Sequence, residues 1–340
     1  MLTALPPIFA GMSPEVAAEA QAFLSLAQFE TGDTILLEGE EDQTLAFVLS
    51  GTIELSASGT VLGHVVARDV IGEVELFARC PRIASATATS AVQLLVLDPA
   101  GFLELLSAGN PVMYALERQV VRRLGDRIRD MNERVAALSV GERSEKAHKT
   151  TGGGLIARLF SPLSRPTAPR ADADPVRTLQ QSELFGWAPA EVVAEIAAAF
   201  EPVSFYDSAV ICRQGDPPDR MYLVASGEVD VVLELEADRR EKIAHLVAGH
   251  AFGDSSIAMG APRTATCIAV GPVVAVALGR LKFLELHGLD DGTGSVFRQG
   301  IIRNLVLQLM ATMDKLLALH AAKELSGEST DEAGRRIWRD

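Results

Sequence analysis

The sequence has few cysteines, and it has no apolar run of about 18 or more residues, the length that a membrane-spanning helix needs. Its three cysteines, Cys80, Cys212 and Cys267, form no CxxC or Cys/His spacing. An odd number of scattered cysteines argues against a disulfide framework and against a zinc site. The first residues also lack the basic and apolar regions of an export signal. We therefore predict a cytoplasmic protein with no membrane span, no metal and no cofactor.

Positive charge is also scarce in this chain. Lys and Arg number 31 against 45 Asp and Glu, which gives a formal net charge of -14. A surface of this sign repels phosphate backbones, whereas nucleic-acid-binding domains use a basic face. We therefore predict no direct binding to nucleic acid. The length of 340 residues and the 48% apolar composition fit two globular domains, each with its own core.

An internal repeat supports this division into two. Seven residues recur at a constant offset of 176: Phe9, Glu15, Val16, Phe29, Gly39, Ser50 and Gly51 match Phe185, Glu191, Val192, Phe205, Gly215, Ser226 and Gly227. Further along, Gly72, Pro81, Arg82 and Ala84 match Gly253, Pro262, Arg263 and Ala265 at an offset of 181. The extra residues of the second copy must lie between Gly227 and Gly253. The polar residues 236–240 in that interval predict a longer hairpin loop there.

Each copy has the same pattern of predicted elements. A short helix pattern at 14–23 or 189–200 precedes several strand-like runs, such as 46–49 and 221–224, that end in Ser-Gly. Short strands at this spacing, without helices between them, predict an antiparallel barrel or sandwich. The boundaries that we predict are 1–140 for the first domain with its C-terminal helix, 141–176 for a flexible linker, 177–322 for the second domain with its C-terminal helix, and 323–340 for a polar tail.

The predicted C-terminal helices carry apolar residues that need a partner. In the first, over 111–138, the apolar residues follow a 3,4 spacing that is typical of a coiled-coil seam: Val121, Leu124, Ile128, Met131, Val135 and Leu138. This stripe packs on its own barrel or forms a dimer seam, and the spacing does not decide between the two. The second helix, over 297–320, is apolar on most of its circumference and requires cover.

The segment 71–85 carries the most chemical information. Glycine at position 72 allows the backbone to approach a ligand closely, and the helical turn that follows presents N–H groups to an anion. Arg82 can add a charge-assisted bond to the same anion, and Glu73 can accept a hydrogen bond from a hydroxyl. This arrangement fits a compact ligand with one phosphate and one free hydroxyl. A salt bridge between Glu73 and Arg82 that closes the turn without a ligand is the alternative.

The segment resembles the phosphate-binding cassette of the cyclic nucleotide-binding domains, which occur in catabolite activator protein and in the regulatory subunit of protein kinase A. The resemblance implies a mainly β fold with flanking helices, in which two double-stranded β-helix, jelly-roll-like barrels each carry N- and C-terminal helices. It also implies that Glu73 binds the ribose and Arg82 the cyclic phosphate, and that backbone N–H groups surround the phosphate. The implied ligand-binding residues are Gly72, Glu73, Val74, Glu75, Arg82 and Ile83 in the first copy, and Gly253, Asp254, Ser255, Ser256, Arg263 and Thr264 in the second.

Both copies depart from the family pattern. Glu75 stands where the family has a small residue, and its carboxylate weakens phosphate binding if it faces the phosphate, but not if it faces solvent. Asp254 replaces glutamate and is one methylene shorter, whereas Thr264 resembles variants of the family that favour guanine. On these residues, Glu73 and Arg82 form the better-preserved pocket, and the two sites should differ in affinity.

The sequence has no signature of a kinase, a cyclase, a channel or a helix-turn-helix output module. Its six histidines are scattered, and we predict that it is not an enzyme. We predict a cyclic AMP or cyclic GMP sensor that transmits ligand binding through its helices to a regulated protein partner or within a homodimer. The alternative is a ligand-free scaffold of the same fold that acts in protein assembly.

Overall fold

The computed structural model describes residues 14–78, 80–107, 109–141, 172–235, 239–325, 328–330 and 336–338. Most of the predicted linker, residues 142–171, lies outside these ranges, as does Phe9 of the repeat. A helix over Pro175–Gln180 begins inside the range predicted for the linker, because Asp174 caps it through the Val176 N–H.

The first half contains eight strands and four helices among its described residues. They are, in chain order, α1 (Pro14–Ala22), β1 (Leu24–Phe29), β2 (Thr34–Leu36), β3 (Leu45–Ser50), β4 (Thr52–Ala57), β5 (Thr60–Val66), β6 (Val70–Ile71), α2 (Glu73–Ala78), β7 (Ser85–Ala88), β8 (Val92–Leu97), α3 (Pro99–Ser107) and α4 (Pro111–Gly141).

The strands of the first half form two antiparallel sheets, in the orders β1-β8-β3-β6 and β2-β7-β4-β5. Alternate side chains of both sheets meet in one core, which includes Val48, Ile53, Ala86 and Leu94. This is a mainly β, jelly-roll-like fold with flanking helices, as the sequence predicted. Helix α3 was not predicted, although Asp98 caps it through the Gly101 N–H at 2.7 Å and proline follows at its first position.

The second half repeats this order. Its elements are α5 (Pro175–Gln180), α6 (Ala190–Ala197), β9 (Phe200–Phe205), β10 (Val210–Cys212), β11 (Arg220–Glu234), β12 (Arg240–Leu246), β13 (Ala251–Phe252), α7 (Asp254–Met259), β14 (Thr266–Gly279), α8 (Arg280–Gly288) and α9 (Gly292–Leu325). In the range predicted as a polar tail, β15 (Glu328–Thr330) pairs with β16 (Arg336–Trp338).

Two long strands join the second barrel into one antiparallel sheet. Strands β11 and β14 bend through register shifts and pair with each other along most of their length, and β9, β10, β12 and β13 pair beside them. Ser58 and Gly59 connect β4 to β5, whereas residues 235–239 connect the corresponding strands β11 and β12. The longer hairpin of the second copy is therefore where the sequence predicted it.

Helices α4 and α9 pack against each other within the chain. The offset of 181 residues aligns them, so that Val121, Leu124 and Ile128 correspond to Ile302, Leu305 and Leu309, and all six are buried. Contacts near the two N-termini and again further along show that the helices run in the same direction. The predicted dimer seam is therefore not free for a second copy, nor does it pack on its own barrel alone, because α9 of the same chain covers it.

A buried polar cluster joins the beginnings of these two helices. The Glu117 carboxylate of α4 accepts hydrogen bonds from Ser295 Oγ at 2.6 Å, Arg298 Nε at 2.9 Å and Gln299 Nε2 at 3.0 Å, all from α9. The side chains of Glu117 and Arg298 are completely buried. Arg298 also donates to the carbonyls of His287 and Leu289, which anchor it to the end of α8.

Helix α9 is long and apolar enough by composition to cross a membrane, and no other helix of the described ranges meets that criterion. In this structure, however, 39% of its most apolar stretch is buried inside the protein, and Phe297, Ile301, Ile302, Leu305 and Leu316 are all buried. A helix that is apolar on most of its circumference is equally typical of a protein core. Here the cover that the sequence required comes from α4, α2 and β5 of the first half and from helices and strands of the second half.

Candidate functional site

The two cassette turns are built on glycines that hold a positive φ. Gly72 has φ +85° and Gly253 has φ +84°, a conformation that side chains with a Cβ rarely adopt. A Cβ atom would lie 2.7 Å from Arg82 Nη1 at Gly72 and 2.6 Å from Arg263 Nη1 at Gly253. Each glycine therefore allows the cassette arginine to pack directly against the turn that begins the cassette helix.

In the first half, Arg82 is bound by two carboxylates. Its Nη1 donates to Glu75 Oε2 at 3.0 Å, and its Nη2 donates to Asp42 Oδ2 at 2.6 Å and to the Thr44 carbonyl at 2.8 Å. The other oxygen of Glu75, Oε1, accepts the backbone N–H of Ile83 at 3.1 Å. Glu75 is 5% exposed and the Arg82 side chain is completely buried, so the pair is shielded from water.

Glu73 faces the helix that follows the barrel. Its Oε1 accepts a short hydrogen bond from Arg127 Nη1 of α4, and Arg127 Nη2 donates to the Val70 carbonyl at 2.9 Å. Burial raises the pKa of Glu73, and the charge of Arg127 opposes that rise. The second oxygen, Oε2, is buried without a partner among the described residues. The alternative salt bridge between Glu73 and Arg82 is therefore not formed, because each side chain has other partners.

In the second half, Arg263 has a different environment. Its Nη1 donates to the Gly253 carbonyl at 2.7 Å, and its Nη2 donates to Asp219 Oδ1 at 2.9 Å. Ser256 occupies the position that corresponds to Glu75, and its short side chain forms no bond to Arg263 or to the N–H of Thr264 in the described structure. The side chain of Arg263 is 2% exposed, and it lines a cavity of about 440 Å³.

Asp254 corresponds to Glu73 and is held by the second C-terminal helix. Its two oxygens accept hydrogen bonds from Asn304 Nδ2 at 2.8 Å and from Gln308 Nε2 at 2.9 Å, both on α9. Burial raises the pKa of Asp254, and these amides oppose the rise. Both cassette carboxylates are thus bound to the long helix of their own half. Sequence reasoning missed Arg127, Asn304 and Gln308, although polar residues on an apolar helix face were a visible signal.

Each cassette lines its own cavity. The cavity of the second half measures about 440 Å³, and its walls include Gly253, Ser255, Ser256, Arg263 and Thr264. The cavity of the first half measures about 340 Å³, and its walls include Gly72, Glu73, Val74, Glu75 and Ile83. The remaining two of the twelve predicted residues, Arg82 and Asp254, are buried behind the walls. Volumes of this size are typical of small-molecule pockets.

The second cavity also receives side chains from the first half of the chain. Ile128 and Asn132 of α4 form part of its wall, together with Gln308 and Thr312 of α9. Asn132 is buried, and its Oδ1 has no hydrogen-bond partner among the described residues. An unpaired buried amide oxygen is costly, so Asn132 carries an acceptor for which the described residues supply no donor. Nothing in the sequence connects Asn132 with the second copy.

Comparison with known proteins identifies the family of both halves. The family model described as the cyclic nucleotide-binding domain matches residues 26–108 and 202–288, once in each half. A cAMP-dependent protein kinase regulatory subunit from Dictyostelium discoideum is 36% identical over 99 residues, which are 28% of this chain and 30% of that protein. The cGMP-dependent protein kinase egl-4 from Caenorhabditis briggsae is 25% identical over 260 residues, which are 76% of this chain and 27% of that protein.

This chain therefore spans less than a third of the length of these curated relatives. Among solved structures, the regulatory domain of Toxoplasma gondii PKA with cAMP shares 20% identity, with 83% of this chain and 87% of that chain covered. Its TM-score of 0.32 is too low to support a conclusion about this chain. Because the family model matches both halves and covers half of the sequence, the chain belongs to the cyclic nucleotide-binding domain family, with two domains in tandem.

Proposed function

We propose that this chain is a cytoplasmic sensor that binds cyclic AMP or cyclic GMP and transmits the binding through helices α4 and α9 to a protein partner. It acts without a catalytic or DNA-binding module of its own, and its two domains are those predicted from the sequence, except that the second begins no later than Pro175 and the range predicted as a polar tail contains β15 and β16. The ligand binds in the second half, rather than in the first half that the sequence favoured. The observation that carries this assignment is the buried Arg263 in the wall of the larger cavity, with no carboxylate of the described residues between it and the cavity.

The residues around Arg263 fit a cyclic phosphate. Phosphate accepts charge-assisted bonds from a guanidinium and further bonds from hydroxyl and backbone N–H groups. Ser256 and Thr264 supply such groups beside Arg263 in the same wall. Asp219, the carboxylate that pairs with Arg263, is 65% exposed at its side chain and lies outside the cavity wall, so it balances the charge of Arg263 without filling the site.

Binding of a cyclic nucleotide should raise the melting temperature of the purified chain. A ligand that binds only the native state adds RT ln(1 + [L]/Kd) to the free energy of unfolding, or about 2.7 kcal/mol at a hundredfold excess over Kd. Differential scanning fluorimetry with cyclic AMP and cyclic GMP measures this shift, and 5'-AMP and 5'-GMP are the controls. An unchanged melting temperature with millimolar cyclic AMP and cyclic GMP would contradict the proposed function.

Asn132 should contribute to binding in the second half although it belongs to the first. Asn132→Ala removes an acceptor from the cavity wall, and a net hydrogen bond of about 0.5 to 1.5 kcal/mol corresponds to a two- to tenfold weaker Kd. Isothermal titration measures this change. The matched control is Glu133→Ala on the exposed face of the same helix, which should leave Kd unchanged. Equal Kd values for Asn132→Ala and the parent would exclude Asn132 from the site.

A further inference from the structure

The Glu75 carboxylate occupies a specific position in the first cassette. It lies between the guanidinium of Arg82, at 3.0 Å, and the backbone N–H of Ile83, at 3.1 Å. These are two of the groups that the cassette pattern assigns to the ligand phosphate. A carboxylate has the same sign of charge as a phosphate diester and likewise presents two oxygen acceptors. Glu75 therefore satisfies, from within the chain, donors that a nucleotide would otherwise satisfy.

The second cassette has no carboxylate at the position that corresponds to Glu75. Ser256 replaces Glu75 at the equivalent position, and its hydroxyl is too short to bridge Arg263 and Thr264. Arg263 consequently lines its cavity, whereas Arg82 does not line the cavity of the first half. Each of the two arginines also pairs with an exposed aspartate: Arg82 with Asp42, and Arg263 with Asp219. The difference between the two phosphate positions is thus the glutamate.

The other cations around the first cavity are also engaged. Arg123 pairs with Asp69 at 3.0 Å, Arg127 pairs with Glu73, Arg129 pairs with Asp126 at 3.4 Å, and Arg134 donates to the Leu62 carbonyl. A nucleotide phosphate that entered this cavity would meet the Glu75 carboxylate at short range, in a place where little water screens the repulsion. It would reach the guanidinium of Arg82 only by displacing that carboxylate.

We propose that Glu75 is a built-in substitute for the ligand phosphate, so that the first domain is closed to cyclic nucleotides and the chain binds one nucleotide, in its second domain. This inference rests on the proposed function. It gives the first domain a structural role, because its cassette is held in place by its own side chain while its helix α4 completes the wall of the second site.

The first test is the stoichiometry of the full-length parent chain. Isothermal titration with cyclic AMP and with cyclic GMP should give one site per chain with the better ligand. Two sites per chain with comparable affinity would overturn the inference about Glu75 and leave the proposed function intact. No binding by the parent, with one site in the Glu75→Ser variant, would support the inference about Glu75 and remove the proposed function of the second domain. No binding by either protein would overturn both.

The second test exchanges the two side chains. Glu75→Ser should open a second site per chain, and Ser256→Glu should weaken binding in the second domain by about a hundredfold or more, since a buried like charge then faces the phosphate. Circular dichroism and thermal melting identify any variant that fails to fold. In that case the other variant and the stoichiometry of the parent test whether Glu75 closes the first domain to nucleotides. A Ser256→Glu chain that folds and binds within threefold of the parent Kd would overturn the inference.

Discussion

Replacing Arg82 by alanine should destabilise the folded chain without weakening nucleotide binding. The change leaves the Glu75 carboxylate buried and without its ion pair, which costs about 3 to 5 kcal/mol when one partner of a buried pair is removed. Urea denaturation measures the loss in the free energy of unfolding, and isothermal titration of the folded variant should return the parent Kd because the ligand lies in the other half.

The matched variant is Arg263→Ala, for which we expect weaker nucleotide binding rather than a loss of stability. Loss of the cation that pairs with the phosphate is worth about 1.5 to 3 kcal/mol, so the nucleotide should bind about ten- to a hundredfold more weakly. Removing both charges of the first pair, in Glu75→Ala with Arg82→Ala, should cost less stability than Arg82→Ala alone. A tenfold weaker Kd for Arg82→Ala, at parent stability, would show that Arg82 binds ligand.

Replacing Glu117 by alanine should have the largest effect on the connection between the two halves. Arg298 would then be buried without a counter-ion, and Ser295 and Gln299 would each lose an acceptor, at a cost of about 3 to 5 kcal/mol. We expect a lower urea midpoint and a transition that separates into two steps, since weakly coupled domains do not unfold as one unit. Both tryptophans, Trp187 and Trp338, follow the linker, so tryptophan fluorescence reports the unfolding of the second half.

A matched control exists at the surface of the same contact. Arg118 of α4 pairs with Asp290 of the second half, but their side chains are 34% and 63% exposed. Exposed pairs contribute about 0 to 1 kcal/mol, so Arg118→Ala should barely move the midpoint. Equal midpoints for Glu117→Ala and Arg118→Ala would mean that the buried cluster does not hold the halves together.

The repeat made the fold predictable because its offsets carry structural meaning. Glycines and apolar runs that recur at 176 and 181 residues locate both barrels, both cassettes and the longer hairpin from the sequence alone. The apolar spacing of α4 also predicted correctly that this helix needs a partner. The partner itself could not be predicted, because periodicity shows that a face must be buried and does not show which surface buries it.

The orientation of single side chains was likewise beyond the sequence. Spacing placed Glu75 near Arg82, but whether its carboxylate faces the phosphate position or solvent depends on rotamers that the surrounding packing selects. The same holds for Asn132, which reaches the second cavity only because α4 and α9 lie side by side. Contacts between the halves join residues far apart in the sequence, and the pattern of each copy by itself does not contain them.

The pairing of α4 with α9 inside one chain has a consequence for how the protein behaves on dilution. In a homodimer the equivalent helices separate as the concentration falls, and both subunits must carry the same side chains. Here the linker keeps the two helices at a high effective concentration, so their pairing is independent of the amount of protein present. The covalent connection also allows the two cassettes to carry different residues at one position, which a symmetric assembly of identical chains cannot do.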